Sequence, residues 1–267
     1  MAFLERGGAR IAYEVGGEGP ALTLLHGFTQ SRLMWDEVMD TLGTGHRLLR
    51  PDLRGHGETE VEAGGMYTMD ACLQDLEALW DSLGIARTHL AGYSMGGRLA
   101  LHVAARRPRR LLSLITISAR TLPDEARAPR LESDLELARA IEANGIEWFV
   151  EHWSSLPMFA GVARRGSAFG RTLRERRLRN RPAELAASLR GMGAGAAEPG
   201  IAAIGDFDAP ATFVAGSEDP PYVKAARELA GLVRRGRVQI VAGAGHNIPA
   251  EKPRELAALL AAHLSAL

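Results

Sequence analysis

Leu90-Ala91-Gly92-Tyr93-Ser94-Met95-Gly96-Gly97-Arg98 is the stretch on which the reading of this chain turns. It holds Gly-x-Ser-x-Gly, with an apolar run before it and a helical pattern after it. That is the sequence form of a nucleophile elbow, a sharp strand-to-helix turn that lifts a serine hydroxyl at its tip. Gly92 and Gly96 suit such a turn, because larger side chains there would block the backbones that crowd around a strained serine. The five-residue pattern alone is common by chance; its flanks, and the order of the residues that follow, give it weight.

Thr88 to Gly92 is predicted to be the strand feeding this turn, and Met95 to Ala105 the helix leaving it. Upstream, Ala9 to Val15 alternates like a strand, Ala21 to Leu25 reads as a short buried strand, and Gly16 to Pro20 between them is turn chemistry. Leu33 to Leu42 and Thr68 to Leu83 read as helices, the second closed by Gly84, and Arg47 to Leu49 as a strand ending at Pro51. Downstream, Leu111 to Ile117, Ala211 to Ala215 and Val238 to Val241 are strands, and Lys224 to Leu232 and Pro253 to Leu264 are helices. Strands that alternate with helices imply βαβ units and a mostly parallel sheet with helices on both faces. From about Thr121 to Gly200 that rhythm stops: helical patterns and arginines, with no clear strand. The chain is therefore divided into an α/β core, 1–120 with 201–267, and an inserted helical lid, 121–200, over the C-terminal edge of the sheet, where open α/β sheets place ligands.

Composition narrows the classes of function. The 267 residues carry no formal net charge and are 46% hydrophobic and 24% charged, ordinary values for a soluble enzyme. Nothing global favours nucleic acid or an anionic membrane surface. Cys72 is the only cysteine, so no internal disulfide forms and a reducing compartment is compatible. Met1 to Arg6 holds no apolar signal core, and no run approaches the roughly 20 residues of a membrane span. A cytoplasmic location is the expectation. Lys224 and Lys252 are the only lysines, so the positive charge is almost all arginine.

A serine hydroxyl is a weak nucleophile or base until a neighbour takes its proton. His246 is placed for that, in Ala244-Gly245-His246-Asn247 between a strand and the last helix. An imidazole in turn needs a carboxylate to fix its tautomer and stabilise its charge. Asp219, in Gly216-Ser217-Glu218-Asp219-Pro220 after a strand, fits; Glu218 is its rival, while Asp206 and Asp208 precede the strand and belong at its wrong end. An oxyanion site needs two backbone N–H groups, expected from Met95 directly after the serine and from Phe28 in Leu25-His26-Gly27-Phe28. His26 reads as a brace for that loop. Arg54-Gly55-His56-Gly57 reads as a structural loop near the same edge that could line a pocket. Arg98 lies one turn beyond Ser94 on the same helix face. A fixed cation there suits an anionic substrate, since guanidinium pairs bidentately with carboxylate; a solvated arginine or an internal salt bridge are the alternatives.

With the order Ser94, Asp219, His246, the His-Gly-Phe loop, the Arg-Gly-His-Gly loop and the terminal Gly-His-Asn, the chain resembles the α/β-hydrolase superfamily over nearly its whole length. A narrower resemblance rests on Gly92 to Arg98, on Trp153-Ser154-Ser155-Leu156-Pro157-Met158-Phe159, and on Arg177-Leu178-Arg179-Asn180 running into Leu185 to Gly193. These resemble the 2-succinyl-6-hydroxy-2,4-cyclohexadiene-1-carboxylate synthases of menaquinone biosynthesis. That resemblance implies a lyase that eliminates pyruvate from a cyclohexene polycarboxylate, with no cofactor and no metal. It implies a triad of Ser94, His246 and Asp219, substrate carboxylates bound by Arg98, Arg130 and Arg177, and Tyr93 and Trp153 lining the pocket. The small anionic substrate is the only partner expected. One departure stands out: Pro220-Pro221-Tyr222 follows the acid where the family often has Lys-Phe, and Tyr222 is expected to supply the aromatic packing. The alternatives are a serine hydrolase acting on an ester or a carbon–carbon bond of an anionic substrate, and a ligand-binding protein on an inactive scaffold. An intact triad speaks against the last.

Overall fold

The central strands are buried almost along their whole length, so both faces of the sheet are covered. In β3 (Ala21–Leu25), Ala21 and Leu25 join one apolar cluster and Leu22 and Leu24 the other. In β7 (Leu111–Ile117), Leu111 and Leu114 go with the first, Ile115 and Ile117 with the second. The computed structural model describes residues 1–43, 45–196 and 201–266.

In chain order the remaining elements are β1 (Ala2–Arg6), β2 (Ala9–Gly16), α1 (Asp36–Leu42), β4 (Arg47–Pro51), β5 (Glu60–Val61), α2 (Met69–Ser82), β6 (Thr88–Tyr93) and α3 (Met95–Arg106) before β7. After β7 come α4 (Asp124–Ser154), α5 (Gly166–Leu178), α6 (Pro182–Met192), β8 (Ala211–Gly216), α7 (Pro220–Leu232), β9 (Gly236–Val241), α8 (Ile248–Glu251) and α9 (Pro253–Ser265). The sheet runs β1-β2-β4-β3-β6-β7-β8-β9, with β5 paired to β2. From β4 onward every pair is parallel; β1, β2 and β5 form the antiparallel end. Helices α2, α3 and α7 cover one face, and α1 and α9 the other. This is the α/β-hydrolase fold.

Helix α2 shows how the local sequence specifies an element. Met69, Cys72, Leu73, Leu76, Leu79 and Trp80 form a buried stripe at helical spacing, and the Thr68 hydroxyl caps the start by accepting the Ala71 N–H at 3.2 Å. A cap of this kind contributes about 1 kcal/mol. Elsewhere the structure adds to the sequence reading. β1 was not expected: its five residues are half-exposed and show no apolar alternation, yet they pair in register with β2 from Ala2↔Tyr13 to Arg6↔Ala9. The predicted helix Leu33 to Leu42 begins instead as a 3₁₀ turn, Arg32–Trp35, before α1.

Between β7 and β8 the described residues hold helices and no strand. α4 breaks at Gly145, whose φ of 79° is non-helical. Ala138, Ile141, Phe149 and Val150 of α4 pack with Leu185, Ala186 and Leu189 of α6, a small core separate from the two that flank the sheet. Phe28 and Trp153 pack against it, which joins this helical layer to the edge of the sheet. Residues 197–200 of the predicted lid lie outside the described residues. Among the described residues no helix is long and apolar enough to cross a membrane.

Candidate active site

Ser94 ends β6 and caps α3 with φ 51° and ψ −108°, a conformation costing on the order of 1–3 kcal/mol that its surroundings must hold. Its N–H donates to Ile117 O at 2.8 Å, anchoring the turn to β7. The glycines are dictated by close approach. A Cβ on Gly96 would sit 2.5 Å from the carbonyl oxygens of Leu25 and His26, and one on Gly92 would collide with the Gly96 carbonyl.

Ser94 Oγ lies 3.1 Å from His246 Nε2, and His246 Nδ1 lies 2.8 Å from Asp219 Oδ2. His246 and Asp219 are buried. The two come from loops after β9 and β8, which lie next to each other in the sheet. Glu218, the rival acid, points away and pairs with Arg164 at the surface. Asp208 is exposed and paired with Arg234. The His246 loop has a brace that the sequence reading missed. Buried Glu251 accepts the Gly245 N–H at 2.8 Å and the Asn247 N–H at 3.1 Å, so one carboxylate holds both neighbours of the histidine. Its signal was faint, an acid five residues past a loop histidine.

Phe28 lies in the loop after β3, where Gln30 N–H closes a turn onto Gly27 O at 3.1 Å. Met95 opens α3, so its N–H has no partner within the helix. His26 sits behind the loop: the Leu53 N–H donates to Nε2 at 2.9 Å, and Nδ1 lies 2.9 Å from Gly27 O. Burial lowers its pKa, and a neutral ring with the proton on Nδ1 satisfies both contacts. The 54–57 loop does not line the cavity. Arg54 is locked to Asp75 at 2.6 and 2.9 Å, and His56 stacks edge-on beneath Phe28 at 5.5 Å.

Above the triad lies a cavity lined by Phe28, Tyr93, Ser94, Met95, Trp153, Phe159, Tyr222 and His246, and by four arginines: Arg98, Arg120, Arg130 and Arg177. Among the described residues no aspartate or glutamate lines it. Trp153 packs with Phe28 at 5.4 Å and Phe159 at 5.6 Å, forming an aromatic wall. Tyr93 and Tyr222 flank the His246 ring at 5.5 and 4.4 Å, and burial pushes the Tyr93 hydroxyl well above its ordinary pKa.

The arginines differ. Arg98 is half-buried and has no carboxylate partner among the described residues: Nη2 donates to Met192 O at 2.7 Å, and Nε is buried without a partner. Arg177 is 3% exposed; Nη1 donates to Ser154 Oγ at 2.8 Å, and Nε and Nη2 are unpartnered. Burial lowers both pKa values to about 10, so both remain cations at neutral pH. Arg130 reaches the cavity wall but is tied through Nε to Asp134 at 2.7 Å. Arg120 and Gln30 line the cavity and were absent from the sequence reading. Of the nine arginines between 164 and 190, Arg177 alone lines it. Arg164, Arg165, Arg174, Arg176, Arg181 and Arg190 pair with carboxylates, and Arg171 and Arg179 are exposed.

Fold and site together define a triad enzyme scaffold, and a family model described as the alpha/beta hydrolase fold matches residues 20–253. The chain belongs to the α/β-hydrolase family. Within it, the chain is 33% identical to a putative 2-succinyl-6-hydroxy-2,4-cyclohexadiene-1-carboxylate synthase of Bacillus subtilis (strain 168), over 96% of each protein. The structure of MenH from S. aureus superposes with a TM-score of 0.90 at 25% identity, covering 95% of this chain and 98% of that one. A thermophilic esterase from Thermogutta terrifontis with malate bound gives 0.87 at 27% identity, covering 97% of this chain and 94% of that one.

Proposed function

We propose that this protein is a carbon–oxygen lyase that eliminates pyruvate from 2-succinyl-5-enolpyruvyl-6-hydroxy-3-cyclohexene-1-carboxylate, giving 2-succinyl-6-hydroxy-2,4-cyclohexadiene-1-carboxylate. The observation that carries this reading is a cavity lined by arginines, with no acid among the described residues that line it, directly above a Ser–His–Asp triad. Unpaired buried guanidinium groups are costly, on the order of 1–3 kcal/mol for each unsatisfied group, and a polycarboxylate would satisfy them. The similarity to the synthases supports the same reaction. No cofactor, metal, nucleic acid or membrane enters the proposed reaction, and a cytoplasmic location fits it.

In this mechanism His246 Nε2 takes the Ser94 hydroxyl proton while Ser94 Oγ removes the ring proton, and Asp219 stabilises the imidazolium. The ring C–H electrons form the new double bond, and the C–O bond to enolpyruvate breaks. The leaving enolate takes a proton and becomes pyruvate. Arg98 and Arg177 hold carboxylates, Arg130 stands at the cavity wall paired with Asp134, and the Met95 and Phe28 N–H groups face developing negative charge. Tyr93 and Trp153 shape the ring pocket. The helices between β7 and β8, α4 to α6, act as the lid that excludes water.

A hydrolase of an anionic ester uses the same residues, with Ser94 as covalent nucleophile; the esterase neighbour favours that second reading. The test is to incubate the purified protein with the enolpyruvyl cyclohexene substrate and follow pyruvate with a coupled dehydrogenase. Catalysed pyruvate release supports the lyase. A nitrophenyl-ester burst with no pyruvate release overturns it in favour of the hydrolase.

A further inference from the structure

The geometry points to Arg120, not Arg130, as the third carboxylate-binding group of this cavity. The inference rests on the proposed reaction for its natural ligand, whose succinyl arm, enolpyruvyl arm and ring each carry one carboxylate. Four guanidinium groups line the cavity, but one of them is already neutralised. Arg130 Nε donates to Asp134 Oδ1 at 2.7 Å, and Asp134 is buried and held from its other side by the Gly195 N–H at 3.0 Å. A carboxylate approaching Arg130 meets an existing ion pair and the negative charge of Asp134.

Arg98, Arg120 and Arg177 have no carboxylate partner among the described residues. Three unpaired cations therefore face a ligand with three anionic groups. Arg120 also has a seat of its own. It follows Ser118, which has a φ of 47° just past β7, on the same sheet edge as the triad loops. Its guanidinium carbon lies 5.3 Å from the centre of the Tyr222 ring, and that ring lies 4.4 Å from the centre of His246. The aromatic face attracts the cation and limits its rotamers. Tyr222 is the residue at which this chain departs from the Lys-Phe pattern, so the departure and the extra arginine belong to one local arrangement. Arg120 thus places a cation on the His246 side of the cavity, while Arg177, over the Phe159 ring at 5.3 Å, places one on the lid side.

The test compares binding of tricarballylate and glutarate by calorimetry to wild type, Arg120→Gln, Arg120→Lys and Arg130→Gln. Wild type should prefer the tricarboxylate by at least about tenfold. Arg120→Gln should erase that preference while leaving glutarate binding within about twofold, and Arg120→Lys should keep most of it. Arg130→Gln should shift either ligand by no more than about threefold. In turnover, Arg120→Gln should raise KM for the natural substrate more than it lowers kcat, a split that mere loss of packing against Tyr222 would not produce. Loss of the preference in Arg130→Gln but not in Arg120→Gln overturns the assignment, as does a wild type with no preference. Pyruvate release with unaltered Arg120→Gln kinetics also overturns it and leaves the proposed reaction standing. A tricarboxylate preference that Arg120→Gln erases, in a protein that releases no pyruvate, upholds the assignment and rejects the reaction.

Discussion

Replacing Arg177 by methionine should make the protein more stable and less active at once. Burial lowers the Arg177 pKa to about 10, well below the ordinary arginine value. A depression of that size corresponds to about 3 kcal/mol of cost for keeping the folded-state cation protonated. Against this, the wild type gains a hydrogen bond to Ser154 and a cation–π contact with Phe159. Ser154 is exposed, so water replaces its lost partner, and the ring contact contributes about 0.5–1 kcal/mol. Methionine fills a similar volume without charge. The net expectation is a gain of roughly 1–2 kcal/mol, seen as a rise of a few degrees in Tm. The cost of the cation is fully present below the lowered pKa and disappears as pH rises from about 10 toward the ordinary arginine pKa, so the advantage of the variant holds across neutral pH and shrinks above pH 10. At the same time kcat/KM for the tricarboxylate should fall by about 100-fold, the scale of one charge-assisted contact in a dry site. Urea denaturation at pH 7.5 and 10.5, together with the pyruvate assay, reads both effects. A destabilised variant, or one with wild-type kinetics, would refute the view that Arg177 is a buried cation kept for the ligand.

The other expectations are briefer. Ser94→Ala should abolish pyruvate release to within about 10³-fold of background while Tm stays within a few degrees, checked by the coupled assay and thermal melts. Arg98→Ala should lower turnover of the anionic substrate by at least about 100-fold; unchanged kinetics would place its guanidinium outside the binding site. Glu251→Gln should replace one of the two acceptors flanking His246 by a donor facing a backbone N–H, lowering kcat by about 10- to 100-fold with KM nearly unchanged, measured by steady-state kinetics. His89 and His263 have pKa values lowered to about 4 by burial, so the unfolded chain takes up their protons first. Their contribution to stability should therefore be full above pH 6.5 and fade as pH falls from 6.5 to 4, a loss that denaturant titrations should show reduced in a His89→Gln variant.

The elbow, its two required glycines and the order of serine, acid and histidine were legible in the linear sequence, because each is a local matter. A strained turn needs small neighbours within a few residues, and apolar alternation marks the strands that carry the loops. The parallel sheet followed from the same periodicity, as did the helical insertion between β7 and β8. β1 escaped because a short, half-exposed edge strand shows no apolar alternation. Which arginines face the ligand could not be read from sequence. Arg177 differs from Arg176 only in the side of α5 it occupies, and that is set by how the helix packs. Arg130 and Arg120 differ in having or lacking Asp134 as a partner, and Glu251 matters because the chain folds back over the His246 loop. Charge pairing depends on distance in space, and only the packed helices above the sheet set those distances.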